Sequence, residues 1–269
     1  MPLSYEPLLA HVPAWLMVLF RLTGIFIFAP AFSSATVPGR VKVLLALLLS
    51  FCIYPVLLGP GGGEATASIQ RIVDGGMSLW TIPAAVAMEL MIGVIIGYGA
   101  TLPLIGLQLS GKVVDQQLGL GLGGIYNPDL NEEAGVVGEF FFLVALAVFI
   151  ILGGLGALLS TLIDTFRHVP LGGFRCDGQV ILLVVGLLGS MFELAIRVAA
   201  PLLCVIFLMT VSLGFIARTV PQVNILSIGF PLRILLGMAL LIGVVAVNTD
   251  ILVDMMTAVM RNMRVLFGG

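Results

Sequence analysis

Five ionisable residues stand within or at the margins of long apolar stretches of this chain: Arg21, Glu89, Glu139, Glu193 and Arg197. Glu193 precedes Arg197 by four residues, the better order for an ion pair along one helix face. Charges so placed suit two kinds of chemistry. One is structural pairing and subunit packing inside a membrane; the other is a proton relay or a substrate-ion site. A relay needs Asp, Glu or His residues continuing across several segments, and the sequence shows no such chain, which favours pairing. At a lipid-facing helix centre each charge would cost about 2.5–3.5 kcal/mol. Four such exposures would exceed about 10 kcal/mol, as much as the stability of a whole domain. These residues must therefore face protein or water.

Other motifs carry little chemistry. Gly106 to Val113 nearly spells a phosphate-binding loop, but Val113 stands where a Ser or Thr must meet magnesium, and no strand precedes it. Gly119, Gly121 and Gly124 match a dinucleotide fingerprint by letter only, again without the preceding strand. His11 and His168 lack ligand spacing, so no metal is expected. Cys52, Cys176 and Cys204 are scattered and read as small hydrophobes. No nucleophile–base pair with a supporting acid is visible. The chain is expected to be neither an enzyme nor a cofactor binder.

The elements that position these residues are helices in a membrane. The chain is 60% hydrophobic and 10% charged, with a mean hydropathy of +1.20. Soluble domains carry about a quarter charged residues. A net charge of −2 offers no basic stripe for nucleic acid. About six apolar blocks are expected, over residues 14–28, 43–58, 84–107, 136–162, 180–216 and 234–247, against the roughly 20 residues that span a bilayer. The predicted fold class is all-α, a polytopic integral membrane protein. The first block lacks a basic region before it and reads as a retained helix. Lys and Arg divide evenly between the two sides of a six-span arrangement, so loop charge does not set orientation.

The fifth block, at 37 residues, would be about 55 Å long as a helix and overshoots a bilayer. Gly186, Ser190, Glu193, Arg197, Pro201 and Cys204 form one small or polar stripe along it. In the third block Glu89, Gly93, Gly97 and Thr101 share a face, and Gly93 and Gly97 permit close helix approach. Asp250, Asp254, Thr257, Arg261 and Arg264 form one stripe on an amphipathic C-terminal helix over about 249–266. That helix suits docking on a partner, on the membrane interface or on its own chain.

Two polar connections stand out. A loop at about 108–135 contains Leu118, Gly119, Leu120, Gly121, Leu122, Gly123, Gly124, Ile125, Tyr126, Asn127 and Pro128. Glycine allows backbone to approach backbone, and leucine fills an apolar orifice. By its chemistry such a loop reads first as a packed re-entrant turn, with plugging a pore as the alternative. Residues 218–233 carry Pro221, Gln222, Asn224, Gly229, Phe230, Pro231 and Arg233 between apolar blocks. That mixture is too polar for lipid and suits contact with other membrane subunits.

Five strings occur in the order of one family's pattern. They are Arg21 to Gly24 with Phe28 to Ser33 and Val37 to Lys42, Asp115 to Gly121 with Asn127 and Pro128, Asp164 to Gly172, Pro221 to Asn224, and Gly229 to Arg233. Over nearly its whole length the chain resembles the FliR/SctT export-gate family of type III secretion. The resemblance implies one membrane domain over residues 1–269, its helical hairpins packed into a multi-subunit gate in the bacterial inner membrane at the flagellar basal body. It implies FliP-like, FliQ-like and FlhB-like partners, unfolded flagellar proteins as cargo, and a plug role for the loop at 118–128. The alternatives are a virulence-type secretion subunit, or a small-solute secondary transporter using Glu89, Glu193 and Arg197.

Overall fold

A computed structural model describes residues 6–30, 32, 37–59, 63–75, 80–120, 135–174, 178–219 and 225–268. All regular structure among them is helical. In chain order the helices are α1 (Glu6–Phe28), α2 (Gly39–Leu58), α3 (Glu64–Gly75), α4 (Ile82–Leu118), α5 (Val136–Ile151), α6 (Gly154–His168), α7 (Gly178–Thr219) and α8 (Ile225–Gly268). Among the described residues α1, α2, α4 and α7 are long and apolar enough to cross a membrane. The α5–α6 pair, bent by 64°, makes a fifth if the two are taken as one span.

Residues 136–162 are not one rod, because Gly153 adopts a left-handed conformation (φ +70°) and breaks the helix. The last expected block, 234–247, lies within α8, a helix of 44 residues. Two further boundaries moved. Helix α4 runs on to Leu118, so the expected loop begins at Gly119 rather than Gln108. Helix α3 occupies a stretch expected to be linker, burying Ala65, Ser68 and Ile69 on one face. Helix α7, at 42 residues, bears out the overlong fifth block.

The chain falls into two compact units. The first comprises Met1–Thr101, Phe149–Leu187 and Thr257–Gly269. In it α1 packs on α2 and α3, and α3 packs on α2 and α6. Trp15 meets Phe51 with ring centroids 5.0 Å apart, and a His11–Tyr54 hydrogen bond of 2.8 Å joins the same two helices. The first part of α4 lies directly against α1. A β-carbon on Gly93 would run into the Arg21 carbonyl, and one on Gly24 into the Leu90 carbonyl. Thr101 closes this contact by donating its hydroxyl to the Phe28 carbonyl. The glycine face read from the third block is thus the α1 contact. Gly93→Ala is expected to destabilise the protein by about 1–3 kcal/mol, because the obstructing atoms are backbone and cannot step aside cheaply. Thermal melting of the purified protein checks this; an unchanged melting temperature would contradict it.

The second unit comprises Leu102–Val148 and Leu188–Met256. Here α4 and α5 touch at Gly111 and Gly138, where an added β-carbon on Gly111 would sit 2.6 Å from the Gly138 α-carbon. Gly106 lies against Met191 and Leu194 of α7. The glycines that mimicked a phosphate loop serve helix packing.

Candidate functional site

Arg21 on α1 and Glu89 on α4 form an ion pair with no exposure to solvent on either side. Arg21 Nε donates to Glu89 Oε2 at 2.5 Å. Arg21 Nη1 donates to Thr165 Oγ1 of α6 at 3.2 Å, and the guanidinium lies 4.3 Å from the centroid of the Phe166 ring. The other Glu89 oxygen accepts the Gly172 backbone N–H at 2.9 Å. The pair is therefore wrapped by three helices and the turn after α6. Both carboxylate oxygens are satisfied, which a buried carboxylate requires. Thr165, Phe166 and Gly172 were not singled out as site residues, although the string from Asp164 to Gly172 was.

The second constellation holds the ends of the Gly/Leu loop in the other unit. Asp115, buried near the end of α4, accepts the N–H groups of Val137 and Gly138 at 3.1 and 3.0 Å. It thereby caps the start of α5 from a different helix, where a negative charge also suits the helix dipole. Helix α4 ends in a Schellman motif. Gly119 takes φ +77° and donates to the Gln116 carbonyl at 3.3 Å, while Leu120 N–H reaches the Asp115 carbonyl at 3.1 Å. Arg233 of α8 donates to the Gln117 carbonyl at 3.4 Å and to Thr210 Oγ1 of α7 at 3.2 Å. A cation there complements the C-terminal end of α4. Leu118 is fully buried and packs on Gly237 of α8, where a β-carbon would overlap it. Four helices thus hold both feet of the loop, residues 115–120 and 135–138.

Of the expected loop residues, Leu118, Gly119 and Leu120 belong to this stem. Gly121, Leu122, Gly123, Gly124, Ile125, Tyr126, Asn127 and Pro128 lie outside the described residues, as do Pro221, Gln222 and Asn224. Gly229 is buried, Phe230 and Pro231 are exposed, and Arg233 joins the stem. Asp115 was not singled out, and the sequence signal for it was its place in the matching string. Asp115→Ala is expected to cost about 1–2 kcal/mol, as loss of a helix cap does, and to increase cleavage by added protease between residues 119 and 135. Wild-type cleavage and melting temperature would contradict the stem assignment.

The remaining charges face outward. Glu193 and Arg197 pair at 3.1 Å on α7, yet their side chains are 68% and 59% exposed. Phe192, Ile196 and Phe207 are exposed on the same helix. Glu139 is exposed and stands 3.5 Å from Gln108 Nε2. On the C-terminal part of α8, Asp254, Thr257 and Arg261 are exposed while Met256 and Val259 are buried; the side chains of Asp250 and Arg264 lie outside the described residues. Among the described residues no group of three or more His, Cys, Asp or Glu side chains is placed to hold a metal.

A family model described as bacterial export proteins, family 1, matches residues 12–259. The chain belongs to that family. Members of this export family are non-enzymatic, and this one is a multi-pass protein of the inner-membrane type III export apparatus. It is 26% identical over 236 residues to the flagellar biosynthetic protein FliR of Escherichia coli (strain K12), covering 88% of this chain and 85% of that one. With FliR of Bacillus subtilis (strain 168) the identity is 24% over 263 residues, 95% and 96% of the two chains. Yop proteins translocation protein T of Yersinia pestis is 24% identical over 243 residues, 89% of this chain and 87% of that protein.

Proposed function

We propose that this chain is the flagellar-type subunit of the export gate, working with FliP-like, FliQ-like and FlhB-like proteins on unfolded flagellar cargo. The observation that carries a multi-subunit gate is the outward-facing Glu193–Arg197 pair. It lies among exposed Phe192, Ile196 and Phe207 on a helix of 42 residues. Acyl chains are a costly neighbour for an ion pair, and water is a costly neighbour for three large hydrophobes. A second membrane protein covers both at once. The near-complete overlap with the Bacillus subtilis flagellar protein supports the flagellar branch. The comparable identity to the Yop translocation protein keeps a virulence-type role as the second reading.

Within the gate, the loop at 118–128 closes the channel from a fixed stem. The firmly held feet at Asp115, Leu118 and Arg233 support this, because a plug must return to one place after opening. Tagged protein is expected to purify with FliP-like and FliQ-like subunits and to restore motility to a flagellar strain lacking its own FliR. A solitary, monodisperse protein that transports a small solute would overturn the gate. Rescue of virulence secretion without rescue of motility would move the chain to the other branch.

A further inference from the structure

Within the second unit α7 leaves one face uncovered, and the spacing along that face is regular. Glu193, Arg197, Ala200, Cys204, Phe207 and Val211 follow one another at steps of four, three, four, three and four residues. Ala200 is half-buried and the other five are exposed. Met191, Leu194, Val198 and Leu202 bury the opposite face. Alternating steps of three and four average about 3.5 residues, the repeat at which one helix keeps a single seam against another. From Glu193 to Val211 the seam extends about 27 Å at a rise of 1.5 Å per residue, close to the thickness of a bilayer's hydrocarbon core.

The charges on the seam select what covers it. Lipid would set hydrocarbon against both Glu193 and Arg197, and water would meet Phe207 and Val211. Symmetry argues against a second copy of this chain. Two copies in one membrane share one orientation, so a twofold axis along the membrane normal sets α7 parallel to its counterpart. Each seam residue then faces itself, Glu193 against Glu193 and Arg197 against Arg197. Like charges so placed oppose association. The complement of this seam is therefore a helix of a different chain. It carries a base facing Glu193 and, about one turn along, an acid facing Arg197. Ala200 and Cys204 are small where such a helix comes close, and Phe207 and Val211 supply apolar contact.

We infer that this face of α7 packs along one transmembrane helix of a neighbouring gate subunit, its register set by a base opposite Glu193 and an acid opposite Arg197. The inference rests on the multi-subunit gate proposed above and names the chemistry of the neighbour that the exposed pair meets. The 3.1 Å contact between Glu193 and Arg197 then becomes part of a four-charge network, in which each charge has a partner on both helices. Such a polar pair fixes the register of a seam that its apolar residues alone would leave free to slide.

The test uses the assembled export complex in membranes, with photoreactive benzoylphenylalanine placed singly at positions 204, 207 and 211. All three lie on the seam, so one helix of one neighbouring subunit is expected to take every cross-link, at points that advance in step with them. That helix is expected to carry an acid about seven residues, and a base about eleven, from the residue that position 204 meets. Exchanging the charges, Glu193→Arg with Arg197→Glu, keeps a pair within α7 but sets like charges across the seam. It is expected to lower recovery of that subunit by about tenfold or more, and exchanging the facing acid and base on the neighbour is expected to restore it. Should the exchanged chain fail to fold, the mapped cross-links decide alone. Cross-links to lipid, to cargo, to a second copy of this chain or to several different subunits would overturn the inference and leave the assembled gate standing. So would a cross-linked helix without the acid and base, or unchanged recovery of the subunit with the exchanged chain. A chain that joins no other subunit would remove the gate itself, and this inference with it.

Discussion

Arg21→Met and Glu89→Leu, each made alone, are expected to lower stability by about 3–5 kcal/mol and to leave little assembled complex. Made together, they are expected to recover most of that loss. The reason lies in the burial. Both side chains are withdrawn completely from solvent, so removing one partner strands the other's charge among Thr165, Phe166 and the α6–α3 packing. Removing both eliminates the desolvation cost along with the attraction, and comparably sized apolar side chains can occupy the space. Yield and melting temperature of the purified complex measure the effect. A double variant that assembles normally and exports normally makes the pair structural. One that assembles but no longer exports would instead give these charges a direct part in transport, the role assigned to Glu89 in the solute-transporter alternative.

That pair also marks how far the residues alone could be read. The cost of a bare charge in hydrocarbon required Arg21 and Glu89 to have partners, and the spacing of Glu89, Gly93, Gly97 and Thr101 defined the face that would meet one. Neither argument could choose the partner, which lies 68 positions away in the chain. That choice depends on Gly24 meeting Gly93, a contact between two helices that a single helix's periodicity does not contain. Arg21 and Glu89 pair with one another within the chain, whereas Glu193 and Arg197 remain on the outside. The composition announced helices and a membrane because too few charges exist to coat a soluble surface. It blurred the ends of those helices. Polar Gln108, Ser110, Lys112 and Asp115 looked like a loop, yet α4 continues through them, since Ser110 and Asp115 are buried against protein and not lipid. The double glycine at 153–154 could have signalled the break between α5 and α6; within so apolar a stretch it was read as part of one span.

Deleting residues 121–126 while keeping the stem is expected to let ions cross the membrane through the assembled complex when no cargo is moving. The deletion spares Gly119 and Leu120 because the Schellman turn that ends α4 depends on them. It also spares Asp115, which carries the α5 cap. A leak in this variant therefore reports the loss of the sealing residues rather than collapse of their support. Weakening the support is expected to act differently. Arg233→Ala removes the contacts to Gln117 and Thr210 but leaves every loop residue in place, so the seal should form less often without being lost. Conductance of the complex in planar bilayers separates the two, with a sustained open level for the deletion and intermittent openings for Arg233→Ala. A deletion variant as tight as wild type would remove the plug role from the loop and leave the stem as a packed turn joining α4 to α5. Intermittent openings from Arg233→Ala would then have to come from elsewhere in the assembly, because a loop that seals nothing cannot leak when its anchor is loosened.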